Sequence, residues 1–185
     1  MRNGISATGL SELTAEIKSN PAQGKASYGV EVRWLSGTRA EAKALPMTIG
    51  DQNVNRDYSW TIDEPKQLGG TNYGPNPQEY LLSGMGACMM VGFAVGASVL
   101  GIQLSELRVE VRADLDLAGF LSARDGAKVP LNGIAYTFHV AGDGSKEQFE
   151  QLYLQAVAHS PNAMSLAEGV PLSGKLVLYG RSPQL

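Results

Sequence analysis

The most regular stretch of the chain lies at residues 107–117, where Leu107, Val109, Val111, Ala113, Leu115 and Leu117 alternate with Arg108, Glu110, Arg112, Asp114 and Asp116. A period of two places the two sets on opposite faces of a strand, one buried and one solvated, as in antiparallel sheet. Residues 134–140 predict a second such strand. Residues 28–34 predict another, with Val30, Val32 and Trp34 set against Glu31 and Arg33. After a turn at Ser36-Gly37, weaker strands are expected at 39–47 and 58–62, which completes an N-terminal meander. A last strand is expected at 174–179. The period becomes helical in three places. Leu10, Leu13 and Ile17 share one face of a helix at 9–20, stopped by Asn20-Pro21 and Gly24. Ser145 and Gln148 have capping-box spacing and open a helix whose core face carries Phe149, Leu152, Tyr153, Ala156 and Val157. His159-Ser160-Pro161 ends it. A longer helix is predicted at 78–100, with Pro77 in its first turn and Gly101 as its stop.

That long helix has no charged residue from Tyr80 to Leu100, a length that could cross a bilayer. Gly84, Gly86, Gly92, Gly96, Ser83 and Ser98 keep its hydropathy modest. The nearest charges, Glu79 and Glu106, supply no basic anchor. The segment therefore reads as the buried centre of a fold. One sheet covers a helix on one side only, so burial all round calls for a second sheet from a partner chain. Gly92 and Gly96 would allow close backbone approach there.

Composition narrows the function classes. At 185 residues, 43% hydrophobic and 18% charged, the chain suits one globular domain. A net charge of −3 with no basic run points away from nucleic acid. The N-terminal MRNGISATGLSEL lacks the apolar core of a signal peptide, so a cytoplasmic location is expected. The single cysteine excludes an internal disulfide and cysteine-rich zinc sites. His139 and His159 are not at metal-ligand spacing. No cofactor is expected.

Cys88 lies within the apolar helix between Gly86-Ala87 and Met89-Met90. Free cysteine is among the most buried residue types, and the plain reading is a packed thiol. About three turns into the helix, it is beyond the reach of the terminal dipole. A reactive thiolate would need a side-chain cation, most plausibly arginine. Gly84, Gly86 and Ala87 leave room for a substrate to reach the sulfur.

Three segments, in order, carry a resemblance: DEPKQLGGTNYGPNPQEYLLSGMGAC, LRVEVRADLDLAGFL, and AVAHSPNAMSL followed by GVPL. Together they resemble the OsmC/Ohr family of hydroperoxide reductases over roughly residues 28–180, preceded by an N-terminal helical extension at 1–27. The resemblance implies an α+β fold in which antiparallel sheets wrap long central helices in an intertwined homodimer. It also implies a thiol-dependent peroxidase. A cysteine thiolate attacks the distal oxygen of an organic hydroperoxide, and the resulting sulfenic acid is returned to thiol by reductant. On that resemblance Cys88 is the nucleophile. Arg39 is its activating cation, Arg56 the next choice, and Glu79 orients the arginine. Tyr73, Gln78 and Ser160 would line the substrate site. Two departures stand out. Ser160 occupies the second cysteine's position, so an external thiol must complete the cycle. Gln78 occupies that of the family's catalytic acid. The rival reading is a non-catalytic member that binds a small apolar ligand in the dimer cleft.

Overall fold

The computed structural model describes residues 1–179. Helix α1 (Ala7–Ser19) starts two residues earlier than its apolar pattern suggests, because Ser6 caps it by accepting from Gly9 N. The meander forms as β2 (Val30–Ser36), β3 (Arg39–Ala44) and β6 (Ser59–Ile62), antiparallel in that order. Residues 39–47 do not make one strand. The run stops before Leu45-Pro46, since proline offers no N–H to a ladder. The chain then forms a small hairpin, β4 (Met47–Ile49) and β5 (Gln52–Val54), and β4 pairs with β1 (Ala26–Ser27).

Helix α2 (Pro77–Val99) matches its expected span. Its N-terminus is closed by a capping box. Asn76 Oδ1 accepts from Glu79 N at 2.8 Å, and Glu79 Oε2 accepts from Asn76 N at 2.8 Å. At the other end Asn3 reaches across from the chain start, donating to Ser98 Oγ and Ile102 O. Next come β7 (Leu104–Asp114) and β8 (Gly133–Gly142), a long antiparallel pair that confirms the clearest alternation in the sequence. The strand ends before Leu115, and Leu117 instead opens the short helix α3 (Leu117–Phe120), capped by Asp116. Helix α4 (Lys146–Ala158) carries the expected capping box. Ser160 then starts a further helix, α5 (Pro161–Glu168), where only a helix stop was foreseen.

The core lies between α2, the β7–β8 pair and α4. Phe93 and Ala97 meet Ile102, Leu152 and Ala156, with Phe138 and Phe149 around them. Met85 and Met89 meet Ala163, with Val109, Val111 and Tyr136 alongside. Within the chain, Gly92 and Gly96 let α2 pack closely on α4. A Cβ on Gly96 would stand 2.6 Å from Leu152 Cδ2, and one on Gly92 would stand 3.5 Å from Ala156 Cα.

Within a single chain one expectation is met in part and another fails. Helix α2 is covered on one side only: Leu81, Val91, Val99 and Leu100 are exposed, Val91 by 61%. By length and composition it could cross a membrane, yet its other face forms the chain's core. The strand expected at 174–179 does not form. Residues 171–179 have no regular structure, and Leu172, Leu176, Leu178 and Tyr179 are exposed. A strand needs an edge to pair with, and among the described residues none pairs with this segment.

Candidate active site

Cys88, in the middle of α2, is half-buried. It borders the core residues Met85 and Met89 and the uncovered stripe of Leu81 and Val91. At about 1.5 Å per residue it stands roughly 16 Å from the helix start, so activation by the dipole is ruled out. Among the described residues no side chain hydrogen-bonds to Sγ.

Arg39 opens β3 and is built into a firm cluster. Its Nη2 donates to Thr71 Oγ1 at 2.7 Å, and its guanidinium carbon lies 4.1 Å from the centre of the Tyr73 ring. Thr71 Oγ1 donates in turn to Asp63 Oδ2 at 2.6 Å. Asp63 is 1% exposed and anchors the group. Its Oδ1 accepts from Thr38 Oγ1 and Glu64 N, and its Oδ2 accepts from Thr71 Oγ1, Thr71 N and Tyr73 N. These bonds favour the anion, the Thr71 and Thr38 hydroxyls most, and hold its carboxyl far below the usual carboxylate range. Arg39 Nε, by contrast, is buried without a partner.

Among the described residues of this chain, Glu79 makes no contact with Arg39. Its carboxylate closes the capping box with Asn76, and no ion pair joins it to Arg39. Helix geometry adds a reason. Nine residues at about 100° each place Glu79 on the opposite side of α2 from Cys88. There it lines a cavity of about 390 Å3 against β7, with Ser83, Gly86 and Met90. The chain's answer to Glu79 is Asp63, acting through Thr71. Sequence reasoning missed it, and the only signal was an aspartate leading the DEPK run into a glycine-rich loop.

The other expected site residues divide. Tyr73 joins Arg39. Ser160 is buried, and its Oγ accepts from Ala163 N at 3.3 Å as the cap of α5. Asn162 of that helix donates to Gly84 O at 2.9 Å, one turn before Cys88. Ser160 thus belongs to the helix that docks near the thiol. Gln78 lines a separate cavity with Glu64. Arg56, the alternative cation, stacks on Tyr58 instead, 4.6 Å from its ring centre. The meander meets α2 at Tyr80, whose hydroxyl donates to Thr61 O at 2.7 Å. This link lies about 12 Å along the helix from Cys88.

Comparison with known proteins fits this architecture. Residues 69–174 match the family described as OsmC-like protein, and the chain belongs to that family. The matched span starts in the glycine-rich loop and includes Cys88 and Ser160. No curated protein matches the sequence significantly. Among solved structures, an OsmC-like protein from Mycoplasma pneumoniae superimposes with TM-score 0.59 at 20% identity, covering 78% of this chain and 89% of its own. The organic hydroperoxide resistance protein OsmC of Legionella pneumophila gives 0.51 at 18%, covering 76% and 88%. An organic hydroperoxide resistance protein from Elizabethkingia anophelis gives 0.50 at 18%, covering 77% and 89%. At these identities the likeness establishes the fold.

Proposed function

We propose that the protein is a cytoplasmic, one-cysteine, thiol-dependent peroxidase that reduces organic hydroperoxides as a homodimer. Cys88 thiolate attacks the distal peroxide oxygen and the O–O bond breaks. The alkoxide takes a proton and leaves as alcohol, and Cys88 becomes sulfenic acid. With serine at 160, an external thiol attacks the sulfenic sulfur and releases water. A second thiol then cleaves the mixed disulfide and restores Cys88.

The observation that carries this reading is the state of Arg39. Its guanidinium is held by Thr71 and Tyr73, with Nε left free of any partner. A cation held so firmly, with one donor unused, supports the reading of Arg39 as the partner of an anion. Assembly supplies the missing proximity. The uncovered stripe of α2 runs beside Cys88, and every residue of β2 is exposed, Trp34 by 71%. A second chain covering both would bring another meander over the thiol.

The test is one equivalent of cumene hydroperoxide followed by dimedone. A single adduct on Cys88, absent in Cys88→Ser, together with dithiol-dependent turnover, supports the peroxidase. A thiol that alkylates readily yet yields no adduct turns the assignment to the ligand-binding alternative, which Ser160 as a buried helix cap and Gln78 in place of an acid already favour.

A further inference from the structure

Cys88 has a glycine one turn away on either side along α2, and both glycines face the junction of α4 and α5. A Cβ on Gly92 would stand 3.5 Å from Ala156 Cα in α4, and one on Gly84 would stand 3.6 Å from Asn162 Nδ2 in α5. Met85 and Met89, which flank Cys88, pack with Ala163 of α5. Residues four apart share a helix face, so the thiol belongs to the face that meets this junction. A helical side chain also leans back over the turn before its own Cα. Cys88 therefore leans over Gly84, into the space that Gly84 leaves by having no side chain. Asn162 docks at the same place.

Asn162 Nδ2 donates to Gly84 O at 2.9 Å. Within α2 that carbonyl is also the helical acceptor for the backbone N–H of Cys88. One oxygen thus receives both the Asn162 amide and the backbone of the thiol residue. The turn it belongs to contains two glycines, Gly84 and Gly86, which hold a helix weakly. A tie from outside matters more in this turn than elsewhere in α2.

We propose that Asn162 is a positioning residue for Cys88. It holds the Gly84–Cys88 turn from outside and fills the space into which the sulfur would otherwise swing, so that Sγ keeps one line of attack. The inference rests on the peroxidase reading, and its test separates the two.

Wild type, Asn162→Ala and Asn162→Asp, each as full-length protein in its native assembly, are compared in two reactions of Cys88. With cumene hydroperoxide and dimedone trapping, Asn162→Ala should form the sulfenic acid about tenfold more slowly, because displacement at the O–O bond needs an aligned sulfur. With iodoacetamide at neutral pH it should stay within about twofold of the wild type, since that rate follows the thiolate fraction. Asn162→Asp should alkylate about tenfold more slowly at neutral pH and converge on the wild type as pH rises, because a carboxylate beside the sulfur disfavours only the formation of the thiolate. His159, the titratable group of the α4–α5 turn, is common to all three proteins and cancels in the rate ratio. A merely structural contact would lower stability in both variants without this pH signature. Asn162→Asp should fold, because an acidic residue suits the first turn of a helix. If it does not, Asn162→Lys takes its place and should speed alkylation at neutral pH. The proposal is overturned if the charged variant and Asn162→Ala alkylate alike at every pH, or if Asn162→Ala forms the sulfenic acid as fast as the wild type. If the wild type gives no dimedone adduct, the peroxidase reading falls and the alkylation ratios alone decide whether Asn162 stands at the thiol.

Discussion

Arg39 sits at the end of a relay: Asp63 fixes Thr71, and Thr71 fixes the guanidinium. If that cation activates Cys88, Arg39→Ala should slow alkylation of the native thiol by iodoacetamide about tenfold. That is the scale of losing one charge-assisted contact. Arg33→Ala is the control, because Arg33 pairs with Glu41 on the sheet surface and should change nothing. Asp63→Asn should slow the same reaction by a smaller factor, since it acts at one remove. Asp63 also sets a pH dependence. Its carboxyl is depressed in the fold, so its contribution to stability is present above the ordinary Asp value of about 3.9 and is lost as pH falls below it. Glu64 has the opposite sign. Its raised carboxyl contributes below the ordinary Glu value of about 4.3, and that contribution is lost as pH rises. Urea midpoints between pH 3 and 7 should show Asp63→Asn converging on the wild type in acid, and Glu64→Gln gaining on it towards neutrality.

Helix α2 must pack closely on α4, and its two interior glycines are not equivalent. Gly96→Ala would drive a methyl into Leu152, which is 2% exposed and has little room to yield. A net loss of about 1–2 kcal/mol is expected after the helix-propensity gain of alanine. Gly92→Ala meets only ordinary contact and should be neutral or gain up to about 1 kcal/mol. Chemical denaturation of the two variants side by side checks the distinction. Ser160→Ala should cost about 1–2 kcal/mol, because it removes a buried cap from α5. That cost is the same whether or not the protein is an enzyme. The role of Ser160 was invisible in the sequence, where His-Ser-Pro read as one helix's end rather than the next one's start.

At the scale of the molecule, too much apolar surface lies open for a lone chain. Val91 and Leu81 on α2, Val30, Val32 and Trp34 on β2, and Leu176, Leu178 and Tyr179 in the tail are all exposed. Patches of this kind mark interfaces. The protein should scatter light as two chains across a wide dilution range. Val91→Glu should break that assembly while leaving the circular dichroism of the chain intact, since a charge there is cheap in water and costly between subunits. Truncation after Gly169 should have a similar effect, if the tail's strand pattern pairs only with a partner's edge. A stable, folded wild-type monomer at micromolar concentration would sink the dimer.

The sequence alone was enough for whatever depends on neighbours along the chain. Alternation at 107–117 was enough for β7, the Ser145–Gln148 spacing for the start of α4, and the uncharged run for α2. The order of its segments was enough for the family. Such patterns are legible because period and capping are local. Only the tertiary structure could show that Gly92 and Gly96 face α4, and that Asp63, through Thr71, holds Arg39. Those facts join residues far apart in the chain: Thr38 to Asp63 across a hairpin, and Gly96 to Leu152 across a sheet pair. They depend on directions in space, where one step along a helix turns a side chain by about 100° and exchanges a partner for its neighbour.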